Sequence, residues 1–234
     1  GFSGGAKGIG TNDTVNIPAA TGLAGATPAS FLDLGRGEHE TWLAGGQAGC
    51  NYQSGNWVFG VEADAHAQRW GRTETLFGGV LPPLFFPGHT FELRSDWQAS
   101  ARGRIGYAMD RTLFYVTGGA AFTDVRAIST WVPTTIGLVT FPGVIATQTK
   151  TLVGGTVGAG VEYAATDNFT VGLEGRYSLY GSERFNAGLV PVLNIRNVFF
   201  TSSPTYRDVK VETGEILFRA NWKFTSGGAL VARY

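Results

Sequence analysis

Glu62, Asp64 and His66 stand two residues apart in "VEADAH". In a β-strand that spacing puts all three side chains on one face, because successive residues point to opposite sides. Two carboxylates beside an imidazole could do acid–base work at the rim of a sheet. Such work also needs a nucleophile or a positioned partner within hydrogen-bonding reach, and no spacing in the chain supplies one. His66 therefore reads better as a polar residue of an interior or a rim. The same spacing carries the opposite charge at Arg102 and Arg104 in "ARGRIGY", and both signs at Glu174 and Arg176 in "LEGRY". The first question about these residues is what their face looks at.

Other chemistry is mostly excluded. His39 and His89 have no Cys or His neighbours at metal-ligand spacing, and the single cysteine, Cys50, cannot close an internal disulfide. The strings "VGGTVGAG" and "TGGAA" fit neither GxxxxGK[ST] nor a strand-to-helix GxGxxG. Lys+Arg and Asp+Glu are both 18, so no net field draws nucleic acid. The residues nominate no catalytic group, no cofactor and no metal.

The elements that must position the charges are strands. Glycine is 35 of 234 residues and charged residues only 15 %, too little charge for disorder and no period for collagen. The longest uncharged run, Ala127 to Thr149, holds Pro133 and Pro142 and so reads as strand or loop, not helix. Turn signals recur at "QSGN", "AMDR" and "ATDN", each preceded by small residues running into an aromatic: "GGQAGCNY", "ARGRIGY", "GAGVEY". A further copy, "LFRANWKF", closes the pattern at Phe224. This is a repeat of hairpins. Strands are expected at 2–9, 38–53, 56–70, 93–108, 112–128, 150–164, 169–184 and 208–224. Long connections, roughly Gly10 to Gly37, Gly71 to Glu92, Ser129 to Thr149 and Phe185 to Arg207, lie at one end and short turns at the other. An even number of antiparallel strands with unequal ends is the layout of a transmembrane barrel.

Period two then decides which surface meets lipid. Trp57, Phe59, Val61 and Ala63 oppose Glu62 and Asp64; Ala101, Ile105 and Tyr107 oppose Arg102 and Arg104. Val171, Leu173 and Tyr177 oppose Glu174 and Arg176, and Ile216, Phe218 and Trp222 oppose Glu215, Arg219 and Lys223. The facing of 112–128 is left open. A soluble ligand-carrying barrel would put the apolar face inward. A lumen of Glu62, Asp64, Glu162, Glu174, Arg102, Arg104, Arg176, Arg219 and Lys223 could not hold a lipophile, whereas these charges can stay buried by pairing with one another. The apolar face must then look into lipid. Tyr52, Trp57, Tyr107, Tyr163, Phe169, Trp222 and Phe224, all near the turns, are expected to form an aromatic girdle at one interface.

On "GGQAGCNYQSGNWVFGVEAD", "ARGRIGYAMDRTLFYVTGGAAF", "VGAGVEYAATDNFTVGLEGRYS" and "FRANWKF" the chain resembles the OmpA-like outer-membrane β-barrel superfamily, in its small alphaproteobacterial surface-protein branch. The resemblance implies an all-β, eight-stranded, up-and-down barrel in a bacterial outer membrane, with long extracellular loops and short periplasmic turns. It also implies an export signal already removed before "GFSGG" and an assembly signal on the aromatic matching Phe224. The barrel is then residues 1–224, with 225–234 an extension.

Three functions follow as expectations. The first is a structural, surface-exposed envelope protein with a closed, charge-filled lumen; the second is a narrow pore for ions or small solutes. The third is ligand binding or adhesion through the loops. "GGVLPPLFFPGHTF", "WVPTTIGLVTFPGVIAT" and "NAGLVPVLNIRNVFFTSSP" are more apolar than exposed loops should be. They fit mutual packing as a cap, with "TFPGV" in a hairpin extension, or contact with a homo-oligomeric or protein partner. Outer-membrane lipid and lipopolysaccharide are the expected surroundings.

Overall fold

The computed structural model describes residues 1–17, 30–75, 90–136, 139–194 and 199–224. His89, the 76–89 stretch and residues 225–234 lie outside them. The elements are β1 (Phe2–Ile17), β2 (Ser30–Ser54), β3 (Trp57–Thr75), β4 (Thr90–Met109), β5 (Thr112–Trp131), β6 (Thr134–Ile136), β7 (Val139–Phe141), β8 (Val144–Ala164), β9 (Phe169–Tyr180), β10 (Glu183–Asn194) and β11 (Phe199–Trp222). Eight of them form one antiparallel ring, β1-β2-β3-β4-β5-β8-β9-β11, which β1 closes by pairing with β11.

The turns explain the hairpins. Gly55 and Asp110 each adopt a left-handed backbone, with φ of 60° and 51°, in the two-residue links between β2 and β3 and between β4 and β5. That handedness matches the twist of the flanking strands, and Gly and Asp tolerate it at low cost. Following paired residues once around the ring, a circuit leaves β1 at Gly1 and returns at Thr11, a stagger of ten residues. Eight staggered strands tilt and enclose a lumen just wide enough for side chains.

The strands are longer than their sequence pattern suggests. β1 runs to Ile17, β2 begins at Ser30, and β8 begins at Val144, so the expected connections are largely wall. Around Ser129 to Thr149 the alternation persists in a threonine-rich form. Ile145, Thr147, Thr149 and Thr151 are exposed, while Ala146, Gln148 and Lys150 are less so. β6 and β7 make a small hairpin at its tip. The expected strand 169–184 is instead broken at Gly181 and Ser182. β10 continues it along β11, opposite 199–209, so the Phe185–Arg207 connection is a second hairpin.

The strand whose facing the pattern did not settle points Leu113, Tyr115, Thr117, Thr123 and Val125 inward and Phe114 and Val116 outward. Its pattern is unclear because both faces are partly apolar and because the ladder shifts register between Arg94 and Gln98. Asp124 turns in at this irregularity, accepting hydrogen bonds from the backbone N–H groups of Asp96 and Trp97, each at 3.0 Å. Its carboxylate thus satisfies donors that the broken ladder would orphan.

Closure of the ring depends on a close approach at Gly5. A Cβ there would sit 1.9 Å from the carbonyl oxygen of Ile216 on β11, so any side chain must push the closing strands apart. Gly5→Val is expected to destabilise the barrel by about 1–3 kcal/mol, the usual cost of overpacking. The temperature at which the compact, unboiled gel band converts to the unfolded one should fall; an unchanged transition would mean the seam yields freely.

Candidate functional site: the filled barrel interior

The interior is stacked in layers along the barrel axis. At the short-turn end Val58, Ala108, Leu113 and Tyr115, from β3, β4 and β5, make one side of the floor apolar, and Gln47, Thr170 and Asn221 face the lumen across from them. Above this floor lie the charges. Glu174 is the centre: its carboxylate is fully buried, meets Arg102 at 2.5 Å and Arg176 at 3.2 Å, and also pairs with Arg219. Tyr115 donates its hydroxyl to the same carboxylate at 2.9 Å. Arg102 also reaches Asp64 at 2.9 Å and pairs with Glu62, while Arg219 holds Glu62 at 2.7 Å and Arg176 holds Asp64 at 3.1 Å.

Arg104 stacks its guanidinium 3.7 Å over the Tyr115 ring. Its Nη2 lies 2.6 Å from Glu162, but off the N–H axis, so that contact is Coulombic more than hydrogen-bonded. One strand supplies one or two of these groups each, and period two aims them all inward. Lys223 lies half-buried beyond the end of β11, on the same face as Arg219. Burial lowers its ammonium pKa from the ordinary value, and the charges of Glu162 and Asp167 pull it back.

Two charges that the network expected from sequence omits belong to it. Lys7 lies 3.5 Å from Glu215, which in turn lies 3.6 Å from Arg176. Glu215 shares the inward face of β11 with Arg219, so alternation carried its signal. Lys7 carried little, because β1 reads as a short run of glycines. With them the cluster balances, Glu62, Asp64, Glu162, Glu174 and Glu215 against Lys7, Arg102, Arg104, Arg176 and Arg219. Desolvation of ten ions is offset because nine of them meet at least two opposite charges and Lys7 meets Glu215 and two glutamine side chains.

His66 is 2 % exposed and far below the long-connection rim. Ser3 Oγ lies 2.7 Å from its Nε2, and Asp64 Oδ1 lies 3.2 Å from its Nδ1. The order Ser–His–Asp is that of a hydrolytic triad. Here the carboxylate also serves Arg102, Arg176 and Ser100, and the His66–Asp64 contact is off the hydrogen-bonding axis. A nucleophile needs room for a carbonyl and donors for its oxyanion. Ser3 instead ends against packed interior, which makes the trio a polar junction between the charges and the next layer.

That layer is neutral: Gln68 links Lys7, at 2.8 Å, to Ser95, at 2.6 Å. Above it the interior turns apolar, with Ile9, Trp70, Leu93, Val125, Leu152 and Val211 among its members. This corrects the picture of a lumen charged throughout. Where the wall stands in water its outward face becomes polar and its inward face apolar, as in a soluble barrel. A last ionic tier caps it, with Arg207 3.1 Å from Glu74 and 3.9 Å above the Phe91 ring.

The outward surface at the short-turn end carries Tyr52, Trp57, Tyr107, Tyr163, Trp222 and Phe224, all exposed, with Phe169 half-buried beside Trp222. Cys50 is exposed on the same surface. His39 lies on β2 in the upper wall, half-buried. Among the described residues no group of His, Cys, Asp and Glu has the arrangement of a metal site.

A family model described as "Outer membrane protein beta-barrel domain" matches residues 11–224. The 22 kDa outer membrane protein of Rhizobium leguminosarum bv. viciae is 34 % identical over 166 residues, 70 % of this chain and 65 % of that protein. The 25 kDa outer-membrane immunogenic protein of Brucella abortus is 28 % identical over 170 residues, 73 % of this chain and 67 % of that protein. The match thus spans about two thirds of these curated relatives. Among solved structures, Ail, the attachment invasion locus protein of Yersinia pestis, is similar with a TM-score of 0.37 and 13 % identity, over 95 % of this chain and 99 % of that one.

Glu174→Gln leaves three arginines, Arg102, Arg176 and Arg219, short of a carboxylate in a buried interior. A loss of about 3–5 kcal/mol is expected, read as a lower urea midpoint by tryptophan fluorescence. Adding Arg176→Gln rebalances the cluster and should restore part of the loss, since the two residues touch. A double variant that is simply the sum of two losses would show that balance is not what the cluster maintains.

Proposed function

Since the chain belongs to the outer membrane protein beta-barrel domain family, we propose that it is a structural, surface-exposed outer-membrane protein. In this reading it stabilises the envelope and presents its long extracellular end to neighbours, with a lumen closed to solutes. One observation carries it: among the described residues the interior is occupied at every level. A mixed apolar and polar floor, a balanced ionic cluster, a neutral polar layer and an apolar upper core follow one another. A conducting pore needs a continuous wet path, and the apolar upper core would have to part to give one.

A narrow pore for ions or small solutes is the second reading. In its favour is the unbroken run of polar side chains from Asn221 and Glu162 up to Gln68 and Ser95. The upper core weighs against it. The name of the Brucella relative, an immunogenic protein, fits an exposed outer end, so loop-mediated binding or adhesion and homo-oligomer or protein partners belong to the same proposal. A catalytic role has no support in the relatives' names, which describe outer-membrane proteins, nor in the position of Ser3.

Single-molecule conductance in planar bilayers tests the closed lumen. The unmodified protein should give no stable steps above background at neutral pH and moderate salt. Arg102→Ala combined with Glu174→Ala, a neutral deletion at the centre of the cluster, should at most add brief flickers. Stable steps in the unmodified protein would sink the closed-lumen reading in favour of the pore.

A further inference from the structure

The outer surface of the wall is not uniform. One row of directly opposed residues crosses five strands: Phe218 on β11, Gly4 on β1, Ala44 on β2, Ala67 on β3 and Trp97 on β4. All point away from the lumen. The three middle members are the smallest side chains available, and the row ends in an aromatic on each side. Trp42, two residues above Ala44, and Phe218 project from the surface at 79 % and 70 % exposure. Between them lies an open groove of about 710 Å³, with Gly4, Ala44 and Ala67 in its floor and Arg69 at its rim.

The groove has a direction. Four strand-to-strand steps of about 4.8 Å make the row about 19 Å long, and the barrel's stagger inclines it from mid-wall up to the level of Trp42 and Trp97. Tryptophans on an outward face mark the interface between hydrocarbon and headgroups. Arg69 stands just above, the first charge on the outer face of β3 after Val61, Ala63, Ala65 and Ala67. It is exposed and forms no ion pair among the described residues. Glu40 on β2 and Asp96 on β4 are the exposed carboxylates nearest to it in register, and neither is joined to it by an ion pair among the described residues.

We propose that this groove holds an acyl chain of a phosphorylated outer-leaflet lipid, a lipid A type saccharolipid, with Arg69 on its phosphate. The proposal rests on the placement of the chain in the outer membrane and deepens it by naming a bound lipid. The groove is apolar along its length and opens at its upper end on the Arg69 guanidinium, which has no ion pair among the described residues, so its chemistry matches an anionic amphiphile. A planar guanidinium fork suits phosphate oxygens in particular. The groove lies in the extracellular half of the wall, so its occupant comes from the outer leaflet. A second copy of this chain fits less well. A convex barrel wall would rest on Trp42 and Phe218 and leave the floor uncovered, whereas a single chain lies between them.

The test uses the whole protein in detergent and native mass spectrometry of lipid retention. The probes are bisphosphorylated lipid A and the same lipid with its phosphates removed. Ala44→Phe with Ala67→Phe fills the floor and should weaken retention of both probes about tenfold, while Arg69→Ala should lower retention of only the phosphorylated one, again about tenfold. Ala101→Phe, on the same lipid-facing surface but outside the groove, should change neither. Each variant faces lipid and should keep its heat-modifiable gel band. Should the floor variant lose that band, Arg69→Ala, which leaves the wall untouched, decides by itself. Unchanged retention, or an equal loss in Ala101→Phe, would overturn the proposal in favour of unspecific annular lipid. A change in oligomeric state without a change in lipid would assign the groove to a second copy. Conductance is untouched by any of these outcomes, so the closed-lumen reading stands or falls separately.

Discussion

The wall of this protein meets two solvents along its height, and which side chains must turn inward reverses between them. In hydrocarbon an outward polar group is costly and the polar residues must turn inward. In water above the membrane burial of apolar surface again favours an apolar interior. β3 shows the reversal within one strand. Its inward face runs Glu62, Asp64, His66, Gln68 and then Trp70, while its outward face runs Val61, Ala63, Ala65, Ala67 and then Arg69. β11 does the same, from Arg219, Glu215 and Thr213 to Val211 and Val209 inside, and from Phe218 and Ile216 to Glu212 and Lys210 outside. In these two strands the alternation holds, and only the chemistry on each face changes places.

The charge cluster follows from this constraint more than from any solute. An eight-stranded barrel must fill its lumen, and in the membrane-spanning part polar side chains are what alternation leaves for the inside. Long arginines from β4, β9 and β11 can reach across and share carboxylates, which no small polar residue could do. Tyr115 adds a ring for Arg104 to stack on and a hydroxyl for Glu174. The neutral layer of Gln68, Ser95 and Gln98 then grades the charges into the apolar core, so that no ion abuts hydrocarbon side chains unpaired.

This division also explains what could be read from sequence and what could not. Period two puts Arg102 with Arg104 and Glu62 with Asp64 on shared faces, and the hairpin turns fix strand neighbours, so both ring order and inward residues in the spanning part are legible. The upper wall is not, because its inversion makes the summed pattern of a strand look mixed. Leu113 to Ala127 is the clearest case, inward apolar at both ends with threonines between. Lys7 is hidden for another reason. A strand of glycines gives alternation nothing to alternate with, and its lysine is placed only when β11 closes the ring. The Ser3–His66 contact is of the same kind, joining residues 63 positions apart by way of β2.

The upper wall carries one further consequence of its length. Pairing between β8 and β9 ends at Gly154 opposite Tyr180, with one more bond from the Gly181 N–H to the Val153 carbonyl at 3.1 Å. Beyond it β8 pairs only with β5, and β10 only with β11. The seam is held by side chains instead. Lys150 meets Glu183 at 2.9 Å, and Gln148 accepts the Asn186 N–H at 2.9 Å. Phe185 closes it from within, fully buried against the upper core. A ladder costs little to keep in water, so its interruption here shifts cohesion of the upper barrel from backbone hydrogen bonds to packing. The apolar core above the charges is therefore what keeps the split wall together, and the water-exposed half of the barrel depends on its interior more than the membrane half does.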